Sequence, residues 1–121
     1  MITEPSSLKE IRWRGDSRKV SHGFPKGARL KLGKELTRIQ MGLQPRHGKW
    51  LSEVGKGVQE IRIAQSQEAY RVIYVAVFGD CVHVLHAFHK KSKTGIATPR
   101  VEIDLASRRY RELVREQRLR L

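Results

Sequence analysis

The chain has a single cysteine and no long apolar run, and each absence removes a class of protein. Cys81 alone cannot form an intrachain disulfide, which argues against a disulfide-stabilised secreted scaffold. No apolar run approaches the ~20 residues that span a bilayer. Residues 1–7 lack the apolar core of a signal peptide and are expected to form a frayed leader. We therefore expect a cytoplasmic protein without a membrane partner.

Several catalytic signatures are also missing. The sequence contains no Gly-x-Gly-x-x-Gly or Walker loop, no Ser-His-Asp layout and no paired-carboxylate signature. His83, His86 and His89 recur every third residue. Strand alternation would place His83 and His89 on one face of a sheet and His86 on the other, so the three could not bind one ion. We expect neither a metal nor a cofactor.

Acidic residues are scarce relative to basic ones. The 25 Lys and Arg against 12 Asp and Glu give a formal net charge of +13 and a sequence pI of about 10.6. Such an excess favours polyanionic partners such as nucleic acid or an acidic protein. The basic residues concentrate on either side of residues 58–87, which predicts a sheet core with basic helices around it. A soluble domain that merely carries many surface lysines remains an alternative.

The length and the hydrophobic pattern predict one α+β domain over residues 1–121. We expect a small antiparallel sheet of three to four strands, packed against two N-terminal helices and a C-terminal helix. The predicted elements are a strand at 10–14, a helix from Asp16 or Ser17, a helix from Pro25, strands at 58–64, 69–78 and 81–89, and a helix from Pro99 with a frayed basic tail at 116–121.

The residue types also predict a turn, a buried strand and a loop. Gly79-Asp80 suits a two-residue hairpin between the last two strands. The middle strand is apolar in both alternating sets, which predicts burial on both faces. Residues 44–57 are rich in glycine and basic residues and predict a loop, from which Trp50 and Leu51 fold back onto the sheet.

The second helix has an apolar stripe and a basic outer face. The stripe is formed by Ala28, Leu32, Leu36, Ile39 and Leu43 at spacings of three and four. The basic face can be a solvated surface or can contact an RNA backbone, and both interpretations stay open. The candidate nucleic-acid-binding residues are Arg29, Lys31, Lys34 and Arg38 on this helix, Lys49 in the following loop, and Lys93.

Two arginines lie in apolar strands. Arg62 and Arg71 are costly there unless an anion or a paired carboxylate meets them. Arg71 could pair with Glu60 or Glu68, a structural role that stays open beside the functional one. The third strand ends in Lys90, Lys91 and Lys93. Together these side chains predict a cationic pocket along one edge of the sheet, with phosphate as the expected occupant.

These residues resemble the RelE/HigB superfamily of type II toxins, and more narrowly its phage-derived HigB-like branch. The resemblance covers roughly residues 9–115 and is strongest in the second half. The matching residues are Gly57-Val58, Glu60-Ile61-Arg62, Tyr70-Arg71-Val72-Ile73-Tyr74, Phe88, Lys90-Lys91-Ser92-Lys93, Gly95-Ile96, Thr98-Pro99 and Glu102-Ile103-Asp104-Leu105.

The resemblance implies a metal-independent endoribonuclease that enters the ribosome, cuts messenger RNA and inhibits translation. Its chemistry would be attack of a ribose 2′-hydroxyl on the adjacent phosphate. Arg71 matches the family arginine that binds this phosphate, and Arg62 falls near the family's basic positions. Lys90 or Lys91 would act as general base, and His86 or His89 could transfer a proton.

The implied partner is an antitoxin of helix-turn-helix type. Two alternatives remain: a ParE-like poison of DNA gyrase on the same fold, and a non-catalytic phage-derived nucleic-acid-binding or structural module.

Overall fold

The computed structural model describes residues 8–91 and 97–120, which form five strands and three helices. In the part of the chain that is described, no helix has both the length and the apolar character needed to cross a membrane. The elements in chain order are β1 (Glu10–Trp13), α1 (Ser17–His22), α2 (Lys26–Gln40), β2 (Gly48–Trp50), β3 (Val58–Gln65), β4 (Glu68–Val75), β5 (Cys81–Lys90) and α3 (Arg100–Leu119).

The strands form one mixed sheet in the order β1-β5-β4-β3-β2. The β1–β5 pair is parallel and the other three pairs are antiparallel. The α+β class is therefore confirmed, but the prediction of three to four antiparallel strands is wrong. A parallel β1 is possible because α1 and α2 separate it in the chain from the strands it joins.

Helices cover both faces of the sheet. The apolar stripe of α2 packs on one face with Ile61, Ile63, Val72 and Val84. Ile103, Ala106 and Leu113 of α3 pack on the other face, against residues that include Ile73, Val75 and Leu85. Strand β4 is thus buried on both faces, as its two apolar sets predicted. The N-terminal helix α2 and the C-terminal helix α3 form separate layers.

Several local predictions are wrong. Strand β2 forms inside the predicted loop, and Trp50 on this strand is 60% exposed, whereas Leu51 is buried as expected. Residues 76–80 connect β4 to β5, which is too long for a two-residue hairpin, although Gly79 has the expected positive φ. Helix α2 ends at Gln40 and leaves Leu43 exposed, and α3 continues to Leu119, into the tail predicted to fray.

A β-bulge in β5 changes which histidines share a face. Ile73 pairs with His86, but Tyr74 pairs with Val84, so Leu85 is the extra residue. His83 and His86 consequently face α3, and His89, opposite Tyr70, faces α2. The predicted arrangement, with His83 and His89 together, is wrong because strict alternation fails across a bulge. Within residues 8–91 and 97–120, no group of three His, Cys, Asp or Glu could hold a metal ion.

Candidate functional site

A buried carboxylate organises the two strand arginines. Glu60 and Arg62 project from β3 towards the α3 face, and Arg71 lies directly opposite Arg62 on β4. Oε1 of Glu60 accepts hydrogen bonds from Arg71 Nη1 at 2.9 Å and from Arg62 Nε at 3.0 Å. Oε2 accepts one from the Thr98 hydroxyl at 2.8 Å. The side chain of Glu60 is fully buried, so its charge is balanced by side chains and not by water.

The structure thus gives Arg71 the carboxylate partner that the sequence left open, and that partner is Glu60. The two guanidinium groups carry two positive charges against the single negative charge of Glu60, so the cluster remains cationic. The side chain of Arg62 is 25% exposed and that of Arg71 9%. Arg62 is therefore the more accessible of the two to a ligand.

Arg62 also lies at the junction of two adjoining cavities, which we call the basic cleft. One cavity, of about 520 Å³, is lined by His47, Gly48, Lys49, Arg62, Ile63, Ala64, Ala69 and Arg71. The other, of about 270 Å³, is lined by Lys31, Lys34, Glu35, Arg46, His47, Arg62, Ile63 and Ala64. The basic cleft runs from β4 across the end of β3 to α2, and its charged lining is mainly basic.

A second buried carboxylate shapes the wall of the basic cleft. Glu35 lies within the apolar stripe of α2 and accepts hydrogen bonds from the backbone N–H groups of Arg46 at 3.0 Å and His47 at 2.8 Å. The carbonyl of His47 accepts the N–H of Arg62 at 2.7 Å. These bonds hold the segment that leads into β2 against β3. They place the exposed His47 side chain at the mouth of the cleft.

No functional role was predicted from the sequence for Glu35, Arg46 or His47. A signal for Glu35 was present, because this charged residue occupies the stripe position three residues after Leu32, where an apolar side chain is expected. A buried carboxylate near a helix end predicts backbone N–H donors nearby. The identity of those donors depends on the path of the following loop.

Lys90 lies close to the arginine pair and Lys91 lies at its margin. Phe88 is opposite Arg71 and Lys90 is opposite Ala69, so Lys90 is diagonal to Arg71 on the same face. Lys90 is only 5% exposed, whereas Lys91, just after the end of β5, is exposed. Lys93 lies outside the described residues.

His86 is engaged in a separate buried network. Its Nε2 lies 2.7 Å from Glu102 Oε1, and its Nδ1 lies 3.4 Å from Arg109 Nη1. A guanidinium can only donate, so Nδ1 accepts and Nε2–H donates to the carboxylate. Arg109 continues the network through bonds to the Leu85 carbonyl at 2.9 Å and to Asp16 at 3.0 Å. Both ring nitrogens of His86 are thus occupied away from the basic cleft.

The network around Arg109 has two local consequences. The hydrogen bond from Arg109 lowers the pKa of Asp16, despite the opposing effect of burial. Gly15 adopts a positive φ, and a Cβ at this position would collide with the Arg109 guanidinium. Gly15 is therefore the residue that lets Arg109 pass between α3 and the turn after β1.

His89 lies on the α2 face of the sheet, opposite to Arg62 and Arg71. Its ring stacks on Tyr70 with centroids 4.7 Å apart, and its Nε2 lies 2.6 Å from Glu68 Oε1. The structure therefore places Arg62, Arg71, Lys90 and His86 on one face of the sheet, where Lys90 and His86 are each diagonal to Arg71. Both ring nitrogens of His86 are already bonded, however, and His89 lies on the other face.

Some of the predicted nucleic-acid-binding residues lie in the basic cleft and others lie elsewhere. Lys31, Lys34 and Lys49 line the basic cleft, and Lys31 Nζ also donates to the Ala64 carbonyl at 2.5 Å. Arg38 donates to the carbonyl of Gln44 at 3.0 Å. Arg29 lines a different cavity, beside Trp13 and His22. Three of the five predicted positions that the structure describes therefore lie in the cleft, and the sixth, Lys93, lies outside the described residues.

The geometry thus defines a small α+β protein that has a cationic cleft beside its central strands. The sequence model for phage-derived protein Gp49-like (DUF891) matches residues 21–111, and the chain belongs to this family. The match contains α2, all of β2 to β5 and more than half of α3, and hence the whole basic cleft. It is consistent with a toxin-like function. No curated protein matches the chain.

The Glu60 cluster generates a stability prediction. Glu60→Ala would leave Arg71 buried without this carboxylate, and we expect a loss of about 3–5 kcal/mol in the free energy of unfolding. Glu60→Gln keeps the shape and should lose less. The control is Glu53→Ala, because Glu53 is exposed and lies 3.8 Å from Arg100 and should change stability by under about 1 kcal/mol. Urea unfolding measures all three. Equal losses for Glu60→Ala and Glu53→Ala would contradict the assigned role.

Proposed function

We propose that this protein is the toxin of a type II toxin–antitoxin pair and acts as a metal-independent messenger RNA endoribonuclease on the ribosome. The observation that carries the proposal is the Arg62–Arg71 pair, held by Glu60 beside a basic cleft that is open to solvent. Membership of a phage-derived family supports the toxin assignment. The finer RelE/HigB identity is part of the proposal and is supported by the sequence resemblance alone.

In the proposed reaction the 2′-hydroxyl oxygen attacks the adjacent phosphorus and its proton passes to a base. The bond from phosphorus to the 5′-oxygen breaks, and that oxygen takes up a proton. The products are a 2′,3′-cyclic phosphate and a free 5′-hydroxyl. Negative charge grows on the phosphate oxygens in the transition state. Arg62 and Arg71 would stabilise this charge, and because Glu60 fixes both groups beforehand, little reorganisation is needed.

The proton acceptor would be one of the lysines at the end of β5. Lys90 lies diagonal to Arg71, and Lys91 is exposed next to it. His47 is a further candidate, because its exposed imidazole lines the basic cleft together with Arg62 and Lys49. His86 and His89 are less suitable, since each has a carboxylate within 2.7 Å of Nε2 outside the cleft.

The second candidate function is binding of nucleic acid without cleavage. It is favoured by the direct ion pairs between Glu60 and both arginines, because Glu60 neutralises part of the guanidinium charge inside the protein. The two functions differ in one measurable respect: a non-catalytic module would bind RNA and leave it intact. In either case an antitoxin of helix-turn-helix type would act by covering the basic cleft.

Arg62→Ala tests the catalytic proposal. Glu60 retains Arg71 and Thr98 in this variant, so the fold should persist. We expect messenger cleavage on translating ribosomes to fall by about 10²–10³-fold, as for loss of one transition-state donor. The matched control is Arg111→Ala on the exposed side of α3. Run-off cleavage by folded Arg62→Ala at the wild-type rate would overturn the role of the arginine pair, and Arg71→Lys provides a second, charge-conserving test.

The charge of the basic cleft is tested by salt dependence. Lys31→Glu with Lys34→Glu should weaken RNA binding and flatten the dependence of log Kd on log salt concentration, because fewer counterions are released. The control pair is Arg18→Glu with Lys19→Glu, which changes the net charge equally on exposed positions of α1. Filter binding at several salt concentrations measures both. Equal losses in both pairs would show that only net charge matters.

Arginine substitutions of the β5 lysines test general-base catalysis. Lys90→Arg and Lys91→Arg keep the positive charge but replace an amine that can act as a base by a guanidinium that stays protonated. We expect one of the two to retain RNA binding and lose most cleavage. Comparison of single-turnover cleavage with binding in the same preparations measures this. If both variants cleave normally, the lysines supply only charge, and the pH dependence of His47→Gln becomes the decisive experiment.

A further inference from the structure

A second cationic cleft lies far from the first. Its volume is about 470 Å³, and it lies between the start of β5, the edge strand β1 and the C-terminal end of α3. His83 in this cleft and Lys90 at the other end of β5 are seven positions apart, which is roughly 23 Å along an extended strand. The second cleft is lined by Arg12, Trp13, Arg14, His83, Glu116, Gln117, Leu119 and Arg120.

The fold brings three arginines to this cleft from two directions. Arg12 lies on β1, opposite His83 in the parallel β1–β5 register. Arg14 directly follows the end of β1, two positions after Arg12, and lines the same cleft. Arg120 follows directly after the last residue of α3. Two arginines thus approach from the strand edge and one from the helix end, with the His83 imidazole between them.

Carboxylates offset only part of this charge. Glu116 accepts from both terminal nitrogens of Arg14, at 3.0 and 2.5 Å, and this bonding lowers the pKa of Glu116. Glu10 lies 3.4 Å from Arg12 but outside the cleft lining, and it is 65% exposed, so solvent screens this pair. Among the described residues that line the cleft, three guanidinium groups therefore stand against one carboxylate.

Besides the excess positive charge, the buried imidazole of His83 also points to a ligand in this cleft. The residue is 4% exposed, and its Nδ1 has no hydrogen-bond partner. Among the buried side-chain nitrogen and oxygen atoms of residues 8–91 and 97–120, only the Ser21 hydroxyl also lacks a partner. Burial lowers the pKa of His83, and Arg14 and Arg12 lower it further, against the opposing effect of Glu116. A buried ring nitrogen without a hydrogen-bond partner costs free energy. The excess positive charge around the ring is a separate cost, which a bound anion would offset.

We propose that this second cleft binds a phosphate group, held by Arg12, Arg14 and Arg120 over the imidazole of His83. Phosphate fits better than carboxylate because its tetrahedral oxygens accept hydrogen bonds from several directions, as donors on β1 and α3 require. A carboxylate accepts in one plane, and Glu116 already fills that role for Arg14. The inference does not depend on the proposed nuclease function, since it involves none of the residues of the basic cleft.

The test uses the imidazole resonances of His83 in the full chain, assigned by their loss in His83→Gln. A bound anion favours the imidazolium, so inorganic phosphate should raise the pKa of His83 towards its usual value. Arg12→Ala with Arg120→Ala should weaken phosphate binding by at least about tenfold. Arg108→Ala with Arg111→Ala removes the same charge from exposed positions of α3 and should leave binding unchanged.

Two further experiments identify the source of the phosphate and distinguish this site from the basic cleft. If a single-stranded polyuridine oligomer competes with inorganic phosphate at His83, the phosphate belongs to nucleic acid. If inorganic phosphate alone acts, the ligand is a free anion. Both results support the site, and both should persist in Arg62→Ala even if that variant no longer cleaves RNA.

Three outcomes would overturn the proposal. The first is an unchanged His83 titration at high concentrations of inorganic phosphate, and the second is the same response in the Arg12/Arg120 and Arg108/Arg111 variants. The third is a response to a glutamate-rich peptide without any response to phosphate, which would make the cleft a protein-binding surface.

Discussion

The carboxylate of Glu60 is the interaction on which the centre of the molecule depends. It connects β3 and β4 to the segment that leads into α3, through Arg62, Arg71 and Thr98. Two arginines facing the same covered side of a sheet would repel each other, and burial would increase that repulsion. Glu60 makes their proximity possible. The cleft can therefore be cationic without the sheet being unstable.

This arrangement has a chemical consequence. A buried ion pair is seldom a net source of stability, because desolvation of both charges offsets their attraction. What the cluster provides is a fixed orientation for two guanidinium groups. Arg71, the more buried, is held by its surroundings, and Arg62 extends from the same carboxylate to the cleft surface. Such preorganisation suits a site that must meet charge as it develops on a ligand.

The central features of the fold and the site could be predicted from the sequence, but the features that depend on strand register could not. Period-two alternation correctly placed Arg62 apart from its apolar neighbours, and the apolar middle strand correctly predicted burial on both faces. Strand β2 could not be predicted, because its three residues are exposed and it forms where Glu35 anchors the preceding loop. The bulge at Leu85 reversed the faces assigned to the histidines, since nothing in the local pattern indicates an extra residue there.

The distribution of charge has a physical logic that extends beyond either cleft. Strands β3 to β5 fill the core with few charges, and the basic residues collect at opposite ends of the sheet, in the basic cleft and around Arg12, Arg14 and Arg120. At roughly 20 Å apart, two such groups are separated by more than a Debye length at physiological ionic strength and scarcely repel each other. A polyanion, by contrast, can reach both at once. A small and strongly basic protein can thereby concentrate positive charge in two surface clefts while its core stays largely apolar.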